Sequence, residues 1–341
     1  MKRIFLVSLI CFCTLSSMAQ QLTLSGYTYT DDNKIIGIAE DPTKTTVYKK
    51  FAVKGPLASA FAIKKNGQLS VRPNTLPANT FWHDVTIEAT TAEGKVVTNT
   101  FRIVKDQFIR NKVIAHRGAW KKSGTTENSL TALRNAVALG CMGSEFDIHL
   151  SADSIPYINH DAAIQGFTIE KTESSQLSQI KLSNGESLPT LLSYLQEGMK
   201  QNRTRLILEL KPSVVSKERA LLLTEKVIAM VRELKAQAWA EYISFDYDVC
   251  KKIKSMEPHA KVAYLNGELS PAQLAADHID GLDYHHSILK KNESWFEEAH
   301  QKKQTVNVWT VNEKSLMEWL LQKNVDFITT NEPEMLLEIV Q

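Results

Sequence analysis

Three carboxylates, two imidazoles and two cationic side chains stand in this chain where short apolar runs end. Val113-Ile114-Ala115 runs into His116-Arg117-Gly118, with Glu127-Asn128 shortly after. The next run carries Glu145-Phe146-Asp147, and a short extension from it ends in His160-Asp161. A third, Arg205 to Leu210, contains Glu209 and is followed by Lys211 and Pro212. Side chains alternate across a strand, so Glu145 and Asp147 share one face, as do Glu209 and Lys211. Two later runs end in Trp309-Thr310-Val311-Asn312 and Thr329-Thr330-Asn331-Glu332-Pro333.

Glu145, Asp147 and Glu209 on adjacent strands would repel one another unless a cation holds them. All-oxygen ligation suits a hard ion, Ca²⁺ or Mg²⁺, rather than zinc. The plainer alternative is a structural network of carboxylates with Lys and Arg, since such networks also gather charge in clefts. His116 and His160 titrate near neutral pH and can serve as general base and general acid. Arg117 and Lys211 can hold an anion. Together these groups suit displacement at phosphorus, with charge neutralised by a metal and two cations. A single loop histidine carries no such meaning, and His149 is placed beside the site without a role.

These residues need a scaffold that brings strand ends together. From Lys112 onward apolar strand runs alternate with helical stripes, giving eight β/α units in about 230 residues, the size of a closed (β/α)₈ TIM barrel. An open doubly wound sheet is the alternative, but no Gly-rich phosphate loop follows the first strand. In such a barrel, active sites lie where strands end and βα loops begin. The stretch before it reads differently. Short alternating runs rich in Thr, Val and Phe predict a small all-β sandwich, with hairpin turns at Asn66-Gly67 and Glu93-Gly94. No binding site is evident in that sandwich.

The N-terminus has its own signature. Lys2 and Arg3 precede an apolar segment from Ile4 to Leu15, and Ser16-Ser17-Met18-Ala19 supplies small residues for cleavage. Cys11 and Cys13 each follow a bulky residue, which argues against lipidation. The expected organisation is a signal peptide over 1–19, a sandwich over 20–108 and the barrel over 109–341. The chain is thus expected to be exported, to the periplasm or beyond, with no integral membrane segment after leader removal. Only Cys141 and Cys250 would then remain, read as buried thiols rather than a disulfide framework. A net charge of +2 provides no basic field for nucleic acid.

The ordered set "HRG", "EN", "EFDIHLSADSIPYINHD", "LPTLLSYL", "LILELK", "ISFD", "VNVWTVN" and "VDFITTNEP" resembles the glycerophosphodiester phosphodiesterase family across residues 112–340. The resemblance implies that Glu145, Asp147 and Glu209 ligate the metal, and that His116 and His160 form the acid/base pair. It also implies that Arg117 and Lys211 grip the phosphate. Glu127 matches an additional acidic residue near the metal and Trp309 an aromatic pocket wall, and both are grouped with the substrate-binding residues. One departure is Asn331, where the family often has Asp, a position read here as loop support. More weakly, "FAIKKNGQLSVRPNTLPANTFWHDVTIEATTAEG" resembles the later strands of a cadherin-like or immunoglobulin-like module, without most of the acidic calcium ligands.

The activity implied is metal-dependent hydrolysis of a small glycerophosphodiester to glycerol phosphate and an alcohol. The nucleophile is either water or a vicinal glycerol hydroxyl acting through a cyclic phosphate. Two other readings are distinguishable. A phospholipase C- or D-like enzyme acting on intact lipid would need an apolar collar around its pocket. A non-catalytic surface-binding barrel would be expected to have lost a histidine or a metal carboxylate, and none is missing.

Overall fold

A computed structural model describes residues 22–340, so the expected leader lies outside the described residues. Along Trp82–Thr91 every second residue is buried, the pattern of a strand with one face on a core and the other in water. It pairs antiparallel with Val96–Lys105 around the Glu93-Gly94 turn, where Gly94 has a φ of 84°. Tyr48–Lys54 and Thr28–Tyr29 complete that sheet. A second four-stranded sheet holds Thr23–Leu24, Ile35–Glu40, Gln68–Val71 and Phe61–Ile63. Leu24, Phe61 and Leu69 of one sheet meet Val85, Ile87 and Phe101 of the other in a shared core, which makes a β-sandwich.

The next strands are β1 (Val113–Ala115), β2 (Gly143–Leu150), β3 (Arg205–Leu210) and β4 (Ala240–Ser244). They are followed by β5 (Val262–Tyr264), β6 (Gly281–His285), β7 (Thr305–Trp309) and β8 (Phe327–Thr330). These eight are parallel to one another, and every residue of β2 is buried, as befits a strand covered on both faces. β8 pairs with β1, and β1 pairs back with β2 through Gly143↔Ile114 and Ser144↔Ala115. That last pairing closes a TIM barrel and removes the open-sheet alternative. At least one helix follows each strand; the first, Leu130–Leu139, starts under a Ser129 Oγ that accepts from the Ala132 N–H and ends at left-handed Gly140.

Two features depart from a plain alternation of strand and helix. After β2 the chain folds straight back as Pro156–Ile158, antiparallel to β2, which lifts His160 over the barrel mouth. Between β6 and β7 there are two helices, His286–Lys291 and Ser294–Gln301, where the sequence predicts one. The first buries only Leu289, too narrow a stripe to register as periodicity.

The sandwich docks on the N-terminal ends of the strands, away from the βα loops. Asn202 Nδ2 donates to the Lys105 carbonyl at 2.7 Å, Lys235 Nζ pairs with Asp84 Oδ2 at 2.8 Å, and His259 Nε2 meets Glu40 Oε1 at 2.7 Å. Among the described residues no helix is long and apolar enough to cross a membrane. Cys141 and Cys250 are both buried and free.

Candidate active site

The loop leaving β1 makes two left-handed residues in succession, Arg117 at φ 57° and Gly118 at φ 78°. A Cβ on Gly118 would lie 2.7 Å from the Ala132 backbone, so the close approach of this loop to its helix requires glycine. The turn points the Arg117 backbone N–H at Glu145 Oε2, 2.8 Å away. The guanidinium reaches sideways, with Nη1 donating to both oxygens of Glu127 at 2.9 and 3.1 Å. Its Nε stands 3.8 Å from Asp147 Oδ2.

Strand alternation and register then gather the acids. Asp147 lies directly across from Glu209, and Glu145 is one inward-facing position below Asp147. Oxygen atoms of Glu145, Asp147 and Glu209 all fall within 4.8 Å of one another, and the three residues are buried. Lys211 Nζ is 3.2 Å from Asp147 Oδ1 and 2.7 Å from Glu209 Oε1, the latter an ion pair without hydrogen-bond alignment. Burial, with the like charges of Asp147 and Glu209, pushes the Glu145 carboxyl well above its ordinary range. Burial and Asp147 also push Glu209 up, to about 7, against the opposing pull of Lys211. Burial works the same way on Asp147, but Lys211, the Asn128 amide and nearby cations outweigh it and hold this carboxyl low.

Beside the three buried acids stand Lys211 and, further off, Arg117, and among the described residues Glu145 Oε1 has no hydrogen-bond partner. The trio therefore fits a divalent cation: an all-carboxylate donor set, one orphaned oxygen, and adjacent acids whose repulsion an ion would relieve.

His116 and His160 line the same cavity. The His116 Nδ1 is 2.8 Å from Asn331 Oδ1, and its Nε2 is 4.0 Å from Glu145 Oε2. Burial and then Arg117 depress this imidazole to about 4, so it is neutral at neutral pH. With Asn331 Oδ1 accepting from Nδ1–H, the Nε2 lone pair faces the carboxylates. His160 is more exposed, and its Nδ1 is 2.7 Å from Asp161 Oδ1. Buried His149 places Nε2 3.1 Å from the His160 carbonyl, so it props the His160 loop.

The resulting cavity has a mixed lining, with His116, Arg117, Glu145, His160, Glu209 and Lys211 among its polar residues and Phe245, Leu265 and Trp309 among its apolar ones. Phe245 and Trp309 meet edge to face at 5.4 Å, and Trp309 Nε1 donates to the Asp283 carbonyl at 2.8 Å. Two other cavities, lined by Glu241 and Lys261, lie at the opposite end of the barrel; the first shares only Ile243 and Asp283 with this one, and the second shares nothing.

The predicted residues thus converge, with Glu127 standing apart: its carboxylate engages Arg117 and is not among the clustered acids. Three contributors lie outside the set of site residues that the sequence predicts. Asn128 locks Asp147, and its signal was the "EN" pair, from which only the charged residue was chosen. Phe245 stands at a strand end inside "ISFD". Asn331 touches His116 directly, which corrects its reading as loop support alone.

Comparison with known proteins places this geometry in context. The sequence pattern of the glycerophosphoryl diester phosphodiesterase family matches residues 116–335. A glycerophosphodiester phosphodiesterase of Caldanaerobacter subterraneus subsp. tengcongensis is 26% identical over 249 residues, covering 68% of this chain and 99% of that protein. A crystal structure of a glycerophosphodiester phosphodiesterase from Parabacteroides distasonis is 42% identical with a TM-score of 0.66, over 69% of this chain and 98% of its own. A phosphodiesterase from Oleispira antarctica, solved with the product sn-glycerol-3-phosphate, is 26% identical with a TM-score of 0.56, over 67% of this chain and 96% of its own.

Proposed function

The chain belongs to the glycerophosphoryl diester phosphodiesterase family and is a phosphoric diester hydrolase, and from that premise we propose a metal-dependent cleavage of glycerophosphodiesters with His116 and His160 as the acid/base pair. The products are glycerol phosphate and a free alcohol, in keeping with the glycerol phosphate held by the Oleispira relative. The observation that carries this reading is the convergence of Glu145, Glu209, Lys211 and the two imidazoles in one cavity at the C-terminal end of the barrel, with Asp147 clustered against the two glutamates.

Glu145, Asp147 and Glu209 would hold the ion, Ca²⁺ or Mg²⁺. When bound, it supplies Lewis-acid polarisation of a phosphoryl oxygen and charge neutralisation. Arg117 and Lys211 add fixed positive charge for the other phosphate oxygens. Neutral His116, with its Nε2 lone pair toward the carboxylates, suits removal of a proton from the attacking hydroxyl. His160, at the open side of the cavity beside Asp161, suits delivery of a proton to the leaving alcohol. Phe245, Leu265 and Trp309 give an uncharged surface for the carbon skeleton of the diester.

The charged and apolar pattern over 1–19, read as a leader, favours action outside the cytoplasm, on diesters met after export. The test is release of glycerol phosphate from glycerophosphocholine and glycerophosphoethanolamine by wild type, His116→Ala and His160→Ala, with Ca²⁺, Mg²⁺ or chelator. Metal-dependent turnover lost in both variants supports the proposal; turnover indifferent to chelator and to both substitutions refutes it.

A further inference from the structure

Asn331 contributes no charge and stands at the end of β8, on the far side of the imidazole from the carboxylates. We infer that Asn331 is the positioning residue for His116: its side-chain oxygen fixes which imidazole nitrogen faces the reacting groups, and at what angle. This rests on the reading of His116 as a catalytic base.

The contact belongs to a connected brace. His116 is tied by its backbone, with N–H donating to the Thr330 carbonyl at 2.9 Å and its carbonyl accepting from Trp120 Nε1 at 3.2 Å. Those bonds fix the backbone but leave the imidazole free to turn about its side-chain torsions. Among the described residues, the 2.8 Å contact from Nδ1 to Asn331 Oδ1 is the one hydrogen bond that the imidazole makes. Asn331 is itself clamped. Its backbone N–H donates to Asn312 Oδ1 at 2.9 Å, and the Thr330 hydroxyl donates to the same oxygen at 3.3 Å. Glu332 bonds back to Thr330 Oγ1 at 2.9 Å and pairs with Lys121 of the loop that follows His116. The loops after β1, β7 and β8 therefore converge on one imidazole.

An amide oxygen suits this place. Accepting at Nδ1 puts the imidazole proton there and leaves Nε2 as the free base, the nitrogen that faces Glu145. A carboxylate could accept as well, but would add negative charge to a site that already holds three buried acids. Asn331 gives the tautomer and the angle without the charge.

The experiment measures kcat and KM on glycerophosphocholine at saturating Mg²⁺ for wild type, Asn331→Leu and Asn331→Asp, each also in a His116→Ala background. Leu matches the shape of Asn without an acceptor; Asp keeps the acceptor. Asn331→Leu is expected to lower kcat about 10- to 100-fold, the scale of a misaligned catalytic group, with KM little changed. Asn331→Asp is expected to keep most of the turnover, and Asn331→Leu to cost nothing further once His116 is Ala. Thermal melting and Mg²⁺ titration check that fold and metal site survive, and Asn331→Ala replaces the Leu variant if that one unfolds. The inference is overturned if Asn331→Leu keeps wild-type kcat, if Asp fails as badly as Leu, or if the loss persists in His116→Ala. Wild-type turnover by His116→Ala alone would instead overturn the reading of His116, and this inference with it.

Discussion

Asn128 and Asp147 exchange two hydrogen bonds: Asn128 Nδ2 donates to Asp147 Oδ2 at 2.8 Å, and the Asp147 backbone N–H donates to Asn128 Oδ1 at 3.2 Å. Asn128 is buried and left-handed, at φ 56°, and its backbone N–H bonds the Arg117 carbonyl. One amide thus ties one of the three clustered acids to the loop that carries His116 and Arg117.

Replacing Asn128 with Ala should leave Asp147 free to turn and should strip it of a neutral donor. The expected result is a 10- to 100-fold loss of Mg²⁺ or Ca²⁺ affinity by isothermal titration, on the scale of roughly tenfold or more seen when a group supporting a metal ligand is removed. Unchanged affinity would mean that the strand alone holds Asp147 in place.

Much of this was legible in the sequence because a parallel barrel writes its strands as apolar runs that stop at polar residues. The run Val113–Ala115 and the run Arg205–Leu210 are observed with the same bounds that their residues predict. Alternation alone put Glu145 with Asp147 and Glu209 with Lys211. What spacing does not encode is contact between distant loops. Asn331 and His116 are 215 residues apart, and Asn128 and Asp147 are 19 apart on different elements. The family resemblance singles out Glu127 as the acidic residue near the metal, whereas the structure pairs it with Arg117 and gives the contact with Asp147 to the Asn128 amide.

Lys211 neutralises both Asp147 and Glu209. Lys211→Met should therefore destabilise the metal-free protein by about 3–5 kcal/mol, the cost of breaking a buried pair and leaving charge uncompensated. Added Mg²⁺ should recover part of that loss by binding the same acids. Calorimetric melting with and without the ion checks both statements; equal melting of variant and wild type without metal would contradict them.

Gly118→Ala places a Cβ 2.7 Å from the Ala132 backbone at a residue with φ 78°. Strain of this kind costs on the order of 1–3 kcal/mol. The variant should melt several degrees lower and lose turnover, because the same turn aims Arg117 at Glu145. Full activity and stability would show that the loop relaxes without moving Arg117.

Asp283, buried within the barrel, has an oxygen with no partner, and burial pushes its carboxyl up to about 8. The folded state therefore holds this proton over a range where the unfolded chain, with an ordinary carboxyl, has released it. Its contribution to stability is present below the unfolded pKa and is lost as pH rises toward 8. Asp283→Asn removes that dependence, so its melting temperature relative to wild type should rise between pH 4 and pH 8. A constant difference across that range would show that the folded and unfolded carboxyls titrate alike.

The most direct test of the account is the rate of glycerol phosphate release from glycerophosphocholine, measured for wild type with Mg²⁺ or Ca²⁺, wild type with chelator, and His116→Ala with metal. The account predicts turnover in the first case, abolished by chelator and lowered about 100-fold or more by the substitution, the usual scale of a general base. Turnover that survives both the chelator and His116→Ala would contradict it.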